Sequence, residues 1–231
     1  MSFSLNTAIA TPSTDRKRTN VSASSRLAWL LAACLVAPLA QAADECHIEL
    51  GRGWPPATES HGTAVEGLFA NGATPVMTLT TLPERTAESG LQLIAAESGD
   101  WTLRHSVADK RVSVWADNKL QLRTDQTPEV VEVPMPAELG RRLVAAWRGA
   151  LEQLVPADLT APFKEDVTLY MVDGLRVSGA APTCGPAAIL GEQAALLIEA
   201  TDDGDKRRER RWVELGESLD KLATSLAGDA G

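Results

Sequence analysis

A series of short β-rich runs between Val76 and Val133 constrains the fold of this chain more than any other sequence feature. Six runs follow one another at nearly even spacing, and turn-forming residues such as Ser98-Gly99-Asp100 and Asp117-Asn118 separate most of them. This spacing predicts an antiparallel meander. The runs are Val76–Leu82, Leu91–Ala96, Trp101–Ser106, Arg111–Ala116, Lys119–Thr124 and Glu129–Val133.

Alternation within the runs indicates how the strands lie. Val112 and Val114 fall on one side of their run, whereas Arg111, Ser113 and Trp115 fall on the other. A period of two is typical of a strand with one buried and one wet face. If Trp115 is exposed, it suits a surface that binds a protein partner or a sugar. If helices cover that face, Trp115 belongs to the core, which is the preferred interpretation.

A second β unit follows further along the chain. Asp173-Gly174 lies between the runs Asp166–Val172 and Leu175–Ala180. This dipeptide is a strong hairpin signal, because a type I′ turn needs positive φ at both central residues. The predicted register places Val172 opposite Leu175 and Tyr170 opposite Val177. Near the N-terminus, Cys46–Leu50 is a further short candidate strand.

Three segments have helical periodicity. The first is Pro136 to Leu154, where leucines and Trp147 recur every four residues to form one apolar stripe. The others are Pro186–Ala200 and Asp205–Ala227. The predicted fold class is therefore α+β: an antiparallel sheet of about six to eight strands, with three amphipathic helices on one face. The strands form either one layer or a meander plus a small C-terminal β-α-α unit.

The first 42 residues are typical of a secretory signal. Leu27–Ala40 is an uncharged stretch of 14 residues, shorter than the roughly 20 that span a bilayer. Four basic residues precede it, and Ala40-Gln41-Ala42 follows as a cleavage motif. We therefore expect cleavage between Ala42 and Ala43, export to the periplasm or the medium, and one mature domain over residues 43–231.

Leu31-Ala32-Ala33-Cys34 is similar to the lipobox of bacterial lipoproteins, in which the cysteine carries a lipid anchor. Ordinary cleavage is preferred, because the apolar residues continue past Cys34. No second apolar stretch in residues 43–231 is long enough to span a membrane.

Removal of the leader makes the chain more acidic. The leader carries four of the 22 basic and one of the 31 acidic residues, which leaves 18 against 30 and a net charge of −12 instead of −9. Such a surface repels phosphates, so we expect no nucleic-acid partner. The one basic run, Lys206–Arg211, is interpreted as a solvated helix face paired with the preceding acids; a patch for an acidic partner or lipid head is the alternative.

Two cysteines, Cys46 and Cys184, remain after cleavage. In an oxidising compartment such a pair predicts one disulfide. Cys184 also precedes a predicted helix, where the dipole would favour its thiolate. A bridged Cys184 could not act as a nucleophile, however.

No motif for a cofactor or a known hydrolase occurs in the sequence. There is no G-x-S-x-G, no P-loop, no G-x-G-x-x-G and no haem motif, so no cofactor is expected. The three histidines, His47, His61 and His105, lack the spacing of a metal site, and no metal is expected.

The prediction for function is a small exported binding or interaction protein without an evident catalytic site. Its partner would be an envelope protein or a small ligand, and Trp54, beside Pro55-Pro56, and Trp115 are the candidate interaction surface. The alternative is a hydrolase with a site near His61 or His105. A histidine that lines a cleft within hydrogen-bond reach of a carboxylate would favour the enzyme.

Overall fold

Nine strands and four helices make up residues 46–229, the part of the chain that the computed structural model describes. The predicted α+β class is confirmed. The strands are β1 (Leu50–Arg52), β2 (Met77–Leu82), β3 (Ser89–Ala95), β4 (Trp101–Val107), β5 (Ser113–Ala116), β6 (Lys119–Leu122), β7 (Glu129–Met135), β8 (Val167–Val172) and β9 (Leu175–Gly179). The helices are α1 (Pro56–Ala70), α2 (Ala137–Leu154), α3 (Gly185–Asp202) and α4 (Asp205–Asp229).

The predicted leader, with Cys34 and the cleavage position between Ala42 and Ala43, lies outside the described residues. Residues 46–229 belong to one compact unit, Glu45–Gly231. Within them, no helix has both the length and the apolar character needed to cross a bilayer.

Seven strands form one antiparallel sheet in the order β1-β9-β8-β2-β3-β4-β7. The hairpin β8–β9 pairs with β2 on one side and β1 on the other, so both β units join one layer rather than two. Its register is the predicted one, with Tyr170 opposite Val177 and Val172 opposite Leu175. Asp173 and Gly174 both have positive φ, as a type I′ turn requires.

The meander prediction is wrong for β5 and β6. These strands pair only with each other, in a separate two-stranded sheet, and β7 takes the place beside β4. The alternation of β5 and β6 identifies them as strands but does not identify their neighbours. Because the hairpin leaves the main sheet, helices α2 to α4 do not cover it.

The main core lies between the sheet and helices α2 to α4. Its central side chain is Trp147 of α2, which is fully buried. The Trp147 indole Nε1 donates to Gln193 Oε1 at 2.6 Å, and Gln193 Nε2 donates to Ser218 Oγ at 3.2 Å. One hydrogen-bonded chain therefore links all three helices. Other fully buried side chains of this core include Leu93, Leu103, Leu143, Leu190 and Leu197.

Helix α1 covers the opposite face of the sheet from α2, α3 and α4. The periodicity of the sequence does not predict this helix. Its buried positions are Thr58, Gly62, Val65 and Phe69, which follow a helical period. Thr58 and Gly62 are not apolar, so a hydrophobic pattern does not detect the stripe. Gly62 is needed for packing, because a Cβ there would meet the side chain of Leu169.

The disulfide between Cys46 and Cys184 is confirmed, with the two Cα atoms 5.7 Å apart. Cys46 precedes β1 and Cys184 immediately precedes α3. The bond therefore attaches the start of the described chain to the first turn of a core helix.

Glu66 is expected to make the protein less stable as the pH rises. Burial raises the pKa of this α1 carboxyl group, even though the Thr78 hydroxyl donates to it. A carboxyl group with a raised folded-state pKa binds protons more tightly in the native than in the unfolded state. Stability from this group is therefore full below the unfolded pKa, near 4.5, and is lost as the pH rises through the higher folded pKa.

The substitution Glu66→Gln should therefore raise the melting temperature at neutral pH by a few degrees, where roughly 2–4 °C corresponds to about 1 kcal/mol in a domain of this size. The glutamine oxygen still accepts from Thr78. Thermal melts of both proteins below pH 4.5 and at neutral pH test this, and the difference should appear only at neutral pH. A variant that is no more stable than wild type at neutral pH would contradict the raised pKa.

Candidate functional site

A buried carboxylate, Glu88, organises the candidate site. Glu88 immediately precedes β3, and its side chain is 0% exposed. Its carboxylate oxygens accept three hydrogen bonds: from the Val112 backbone N–H at 2.7 Å, from the Ser113 backbone N–H at 3.3 Å, and from His61 Nε2 at 2.8 Å. Three separate segments therefore meet at this one group: α1, the start of β3 and the approach to β5.

Hydrogen bonding keeps Glu88 ionised. Burial alone would raise the pKa of this carboxyl group, but the hydrogen bonds from His61, Val112 and Ser113 outweigh burial and lower it. A carboxylate is only an acceptor, so His61 Nε2 must carry the proton that it donates. In the neutral ring, His61 Nδ1 is then the unprotonated nitrogen. This arrangement orients the imidazole and makes Nδ1 the available base.

His61 lines a cavity of about 310 Å³ beside the β5–β6 hairpin. We call this cavity the hairpin cleft. Its walls come from α1, the β2–β3 connection, the hairpin and the segment before β8. Residues that line it include His61, Arg111, Ser113, Trp115, Leu120 and Phe163.

The hairpin cleft carries a cluster of exposed apolar side chains. Trp115 is 77% exposed, Phe163 67% and Leu120 43%. Trp115 and Leu120 are paired across the hairpin, on β5 and β6. The prediction that Trp115 belongs to the core is therefore wrong, because the strand that carries it lies outside the main sheet and no helix covers it. The structure instead has the exposed Trp115 of the alternative interpretation.

Trp54, the other candidate for an interaction surface, lies in the core. It is only 8% exposed and packs with α1 and Leu169 in the second apolar cluster. The guanidinium of Arg176 lies 3.7 Å from the centre of its ring. Pro55 is the N-cap and Pro56 the first residue of helix α1.

His105 does not join His61. It lies on β4 on the same side as Leu103, which faces helices α2 to α4, whereas His61 lies on the α1 side. Burial lowers the pKa of His105, and the charges of Asp202 and Glu129 only partly offset this. His47 precedes β1. The structure therefore pairs one histidine of the three, His61, with a carboxylate.

The remaining candidates from the sequence are accounted for by structural contacts. Cys184 is bonded to Cys46, so its sulfur is not a free nucleophile. Within residues 46–229, no three histidine, cysteine or acidic side chains are grouped closely enough to hold a metal ion.

Three of the basic side chains in the run at the start of α4 are paired with acids, as the sequence context predicts. Arg207 and Arg211 contact Asp203 at 3.0 and 3.2 Å, and Arg208 contacts Asp205 at 2.8 Å. The two pairs with Asp203, the C-cap residue of α3, connect the end of α3 to the first turns of α4.

Sequence reasoning missed Glu88 and Phe163. Glu88 is one acid among many, and its only signal is its place three residues before the buried apolar run that begins at Leu91. Phe163 stands in an irregular segment without periodicity.

No family model, curated protein or solved structure matches this chain.

Proposed function

We propose that this chain is an exported binding protein, periplasmic or secreted, whose ligand site is the hairpin cleft. The observation that carries this proposal is the convergence of Trp115, Leu120 and Phe163 on one cavity, although they belong to two strands and a distant segment. Exposed apolar side chains that cluster around a concavity are typical of a binding site. Scattered single apolar residues would carry no such meaning.

Two features support export. Disulfides form and persist in oxidising compartments, and the Cys46–Cys184 bond is one. The leader pattern of residues 1–42 is the second. The two features are independent, because the bond lies between residues that follow the leader.

The size of the hairpin cleft favours a small ligand over an envelope protein. Its volume of about 310 Å³ is at the lower end of the roughly 300–1,000 Å³ that ligand pockets occupy. Its polar groups, which include His61 and Ser113, lie next to the aromatic rings and could orient a bound molecule.

Substitution of Trp115 by alanine should weaken the binding of N-phenylnaphthylamine, a neutral aromatic fluorophore, on the order of tenfold, since loss of an aromatic contact that contributes about 1–2 kcal/mol corresponds to roughly 5–30-fold. Phe163→Ala should act in the same direction. Fluorescence titration of the purified variants measures the dissociation constant of the fluorophore for each. Trp115 is 77% exposed, so its removal leaves the fold intact.

The matched control is Val213→Ala, which removes an apolar side chain of α4 that is 62% exposed and does not line the hairpin cleft. It should leave the affinity unchanged. If Trp115→Ala and Val213→Ala bind the fluorophore equally well, the hairpin cleft is not the binding site.

A hydrolase is the second candidate, and it is favoured by His61, which lines the hairpin cleft and is bonded to Glu88 at 2.8 Å. It ranks second because, among the described residues, no serine, threonine or cysteine side chain is hydrogen-bonded to that ring. In such a reaction, His61 Nδ1 would take a proton from water as the water oxygen bonds to a substrate carbonyl carbon. The C–O bond to the leaving group would then break, and the proton would pass to that leaving oxygen. Glu88 would hold the ring and stabilise its charged form.

Hydrolysis of p-nitrophenyl butyrate tests this second candidate. General base catalysis contributes roughly 10²–10⁴-fold, so His61→Asn should lower the rate by at least the smaller factor. His105→Asn is the control, because that residue lies on the other side of the sheet. Equal rates in wild type and His61→Asn would exclude the hydrolase and leave the binding protein.

A further inference from the structure

Arg111 is the charged group of the hairpin cleft that lacks a partner. Its Nε–H is buried and has no acceptor among the described residues, and none of their acids forms an ion pair with its guanidinium. A buried donor without an acceptor is unfavourable and rare in native proteins. Among residues 46–229 the Arg111 guanidinium therefore has no anionic partner, and its terminal N–H groups remain available to a ligand in the hairpin cleft.

The other charged side chains of the hairpin cleft are satisfied. Lys164 pairs with Glu49 at 2.6 Å, and Glu84 contacts Arg85 at 3.1 Å. His61 is bonded to Glu88, and Glu165 is exposed to water. The buried carboxylate of Glu88 accepts from His61 and two backbone N–H groups and forms no ion pair with Arg111.

Arg111 stands beside the aromatic part of the hairpin cleft. Arg111, Ser113 and Trp115 alternate along the chain, and all three line the cavity. A guanidinium presents a planar fork of N–H donors that matches the oxygens of a carboxylate, phosphate or sulfonate. A cation and an apolar ring therefore lie within one small cavity.

We propose that the ligand of the hairpin cleft is a small amphipathic anion: an apolar ring or chain that carries one anionic group. Arg111 binds the anionic oxygens, and Trp115 and Phe163 contact the apolar body. This inference rests on the proposed binding function and adds the chemical class of the ligand.

Two fluorophores that differ by one sulfonate group test the inference. Anilinonaphthalene sulfonate carries the ring system of N-phenylnaphthylamine plus one sulfonate. Wild-type protein should bind the sulfonate more tightly, on the order of tenfold, because a hydrogen bond to a charged group contributes that much. Arg111→Gln should remove this preference, so that the two compounds bind to that variant with similar affinity, and Arg111→Lys should keep part of it.

Arg123→Gln is the matched control, since Arg123 is exposed at the end of the same hairpin and does not line the hairpin cleft. Loss of the preference in Arg111→Gln but not in Arg123→Gln supports the inference. If Arg111→Gln keeps the preference for the sulfonate while Trp115→Ala weakens the binding of both compounds, the proposed ligand class is wrong and the binding function stands. If Trp115→Ala affects neither compound, both proposals fail.

Discussion

Replacement of Glu88 by alanine is expected to lower the free energy of unfolding by about 3–5 kcal/mol. The substitution leaves the Val112 and Ser113 backbone N–H groups and the His61 ring N–H without their acceptor. Val112 is fully buried, so bulk water does not reach that amide in the native protein. Each buried donor that loses its acceptor costs roughly 1–3 kcal/mol.

Urea denaturation of Glu88→Ala and of a control, Glu97→Ala, measures this effect. Glu97 is an exposed glutamate in the turn between β3 and β4, and its loss should change stability by less than about 0.5 kcal/mol. Hydrogen exchange at the Val112 and Ser113 amides should become faster in Glu88→Ala. Equal stability of the two variants would show that the hydrogen bonds from Val112 and Ser113 to Glu88 do not stabilise the protein.

The pH dependence of Glu88 has the opposite sign to that of Glu66. The pKa of the Glu88 carboxyl group is lowered in the folded protein. Its stabilising contribution is therefore complete above the unfolded pKa and is lost as the pH falls through the lower folded pKa. The stability difference between wild type and Glu88→Ala should consequently shrink in acid, and a difference that grows there would contradict the lowered pKa.

The double substitution Cys46→Ser/Cys184→Ser should also destabilise the protein strongly, by about 2–5 kcal/mol. The disulfide closes a loop with a sequence separation of 138 residues. A long closed loop restricts the unfolded chain and therefore favours the native state. The contribution of the disulfide to stability is measured from denaturation midpoints. These are compared for the double variant and for wild type with and without a reducing agent.

The reducing agent should have no effect on the Cys46→Ser/Cys184→Ser variant, which serves as its own control. If reduction leaves the midpoint of the wild-type protein unchanged, the bond does not contribute to stability. If reduction lowers the midpoint of the variant as well, the effect does not come from this disulfide.

Local patterns predict the elements of this fold well and their neighbours less well. Alternation locates all eight strands from Met77 onward to within a few residues. The register of β8 and β9 is also predictable, because a two-residue turn at Asp173-Gly174 determines which residues of the two strands face each other. The position of β5 and β6 depends instead on which strand pairs with the free edge of β4. Contacts between residues far apart in sequence decide that pairing.

Helix α1 and the candidate site escape prediction for the same reason. The helix buries Thr58 and Gly62, which a hydrophobic pattern does not count, and it holds its conformation through packing on the sheet. The sequence identifies His61 as a candidate, but its partner Glu88 is 27 positions away and is brought to it only by the fold. Trp115 can be interpreted either way until the position of the hairpin is known.

The sheet order has a consequence for how the chain acquires its structure. Among the strands, β1 pairs only with β9, and β2 pairs with β8, so the N-terminal part of the sheet needs partners from the C-terminal half. Proteins dominated by such distant pairings fold slowly, because loop closure precedes the contacts that reward it. The sheet therefore cannot be completed until the chain has been made at least as far as Gly179, the partner of Leu50.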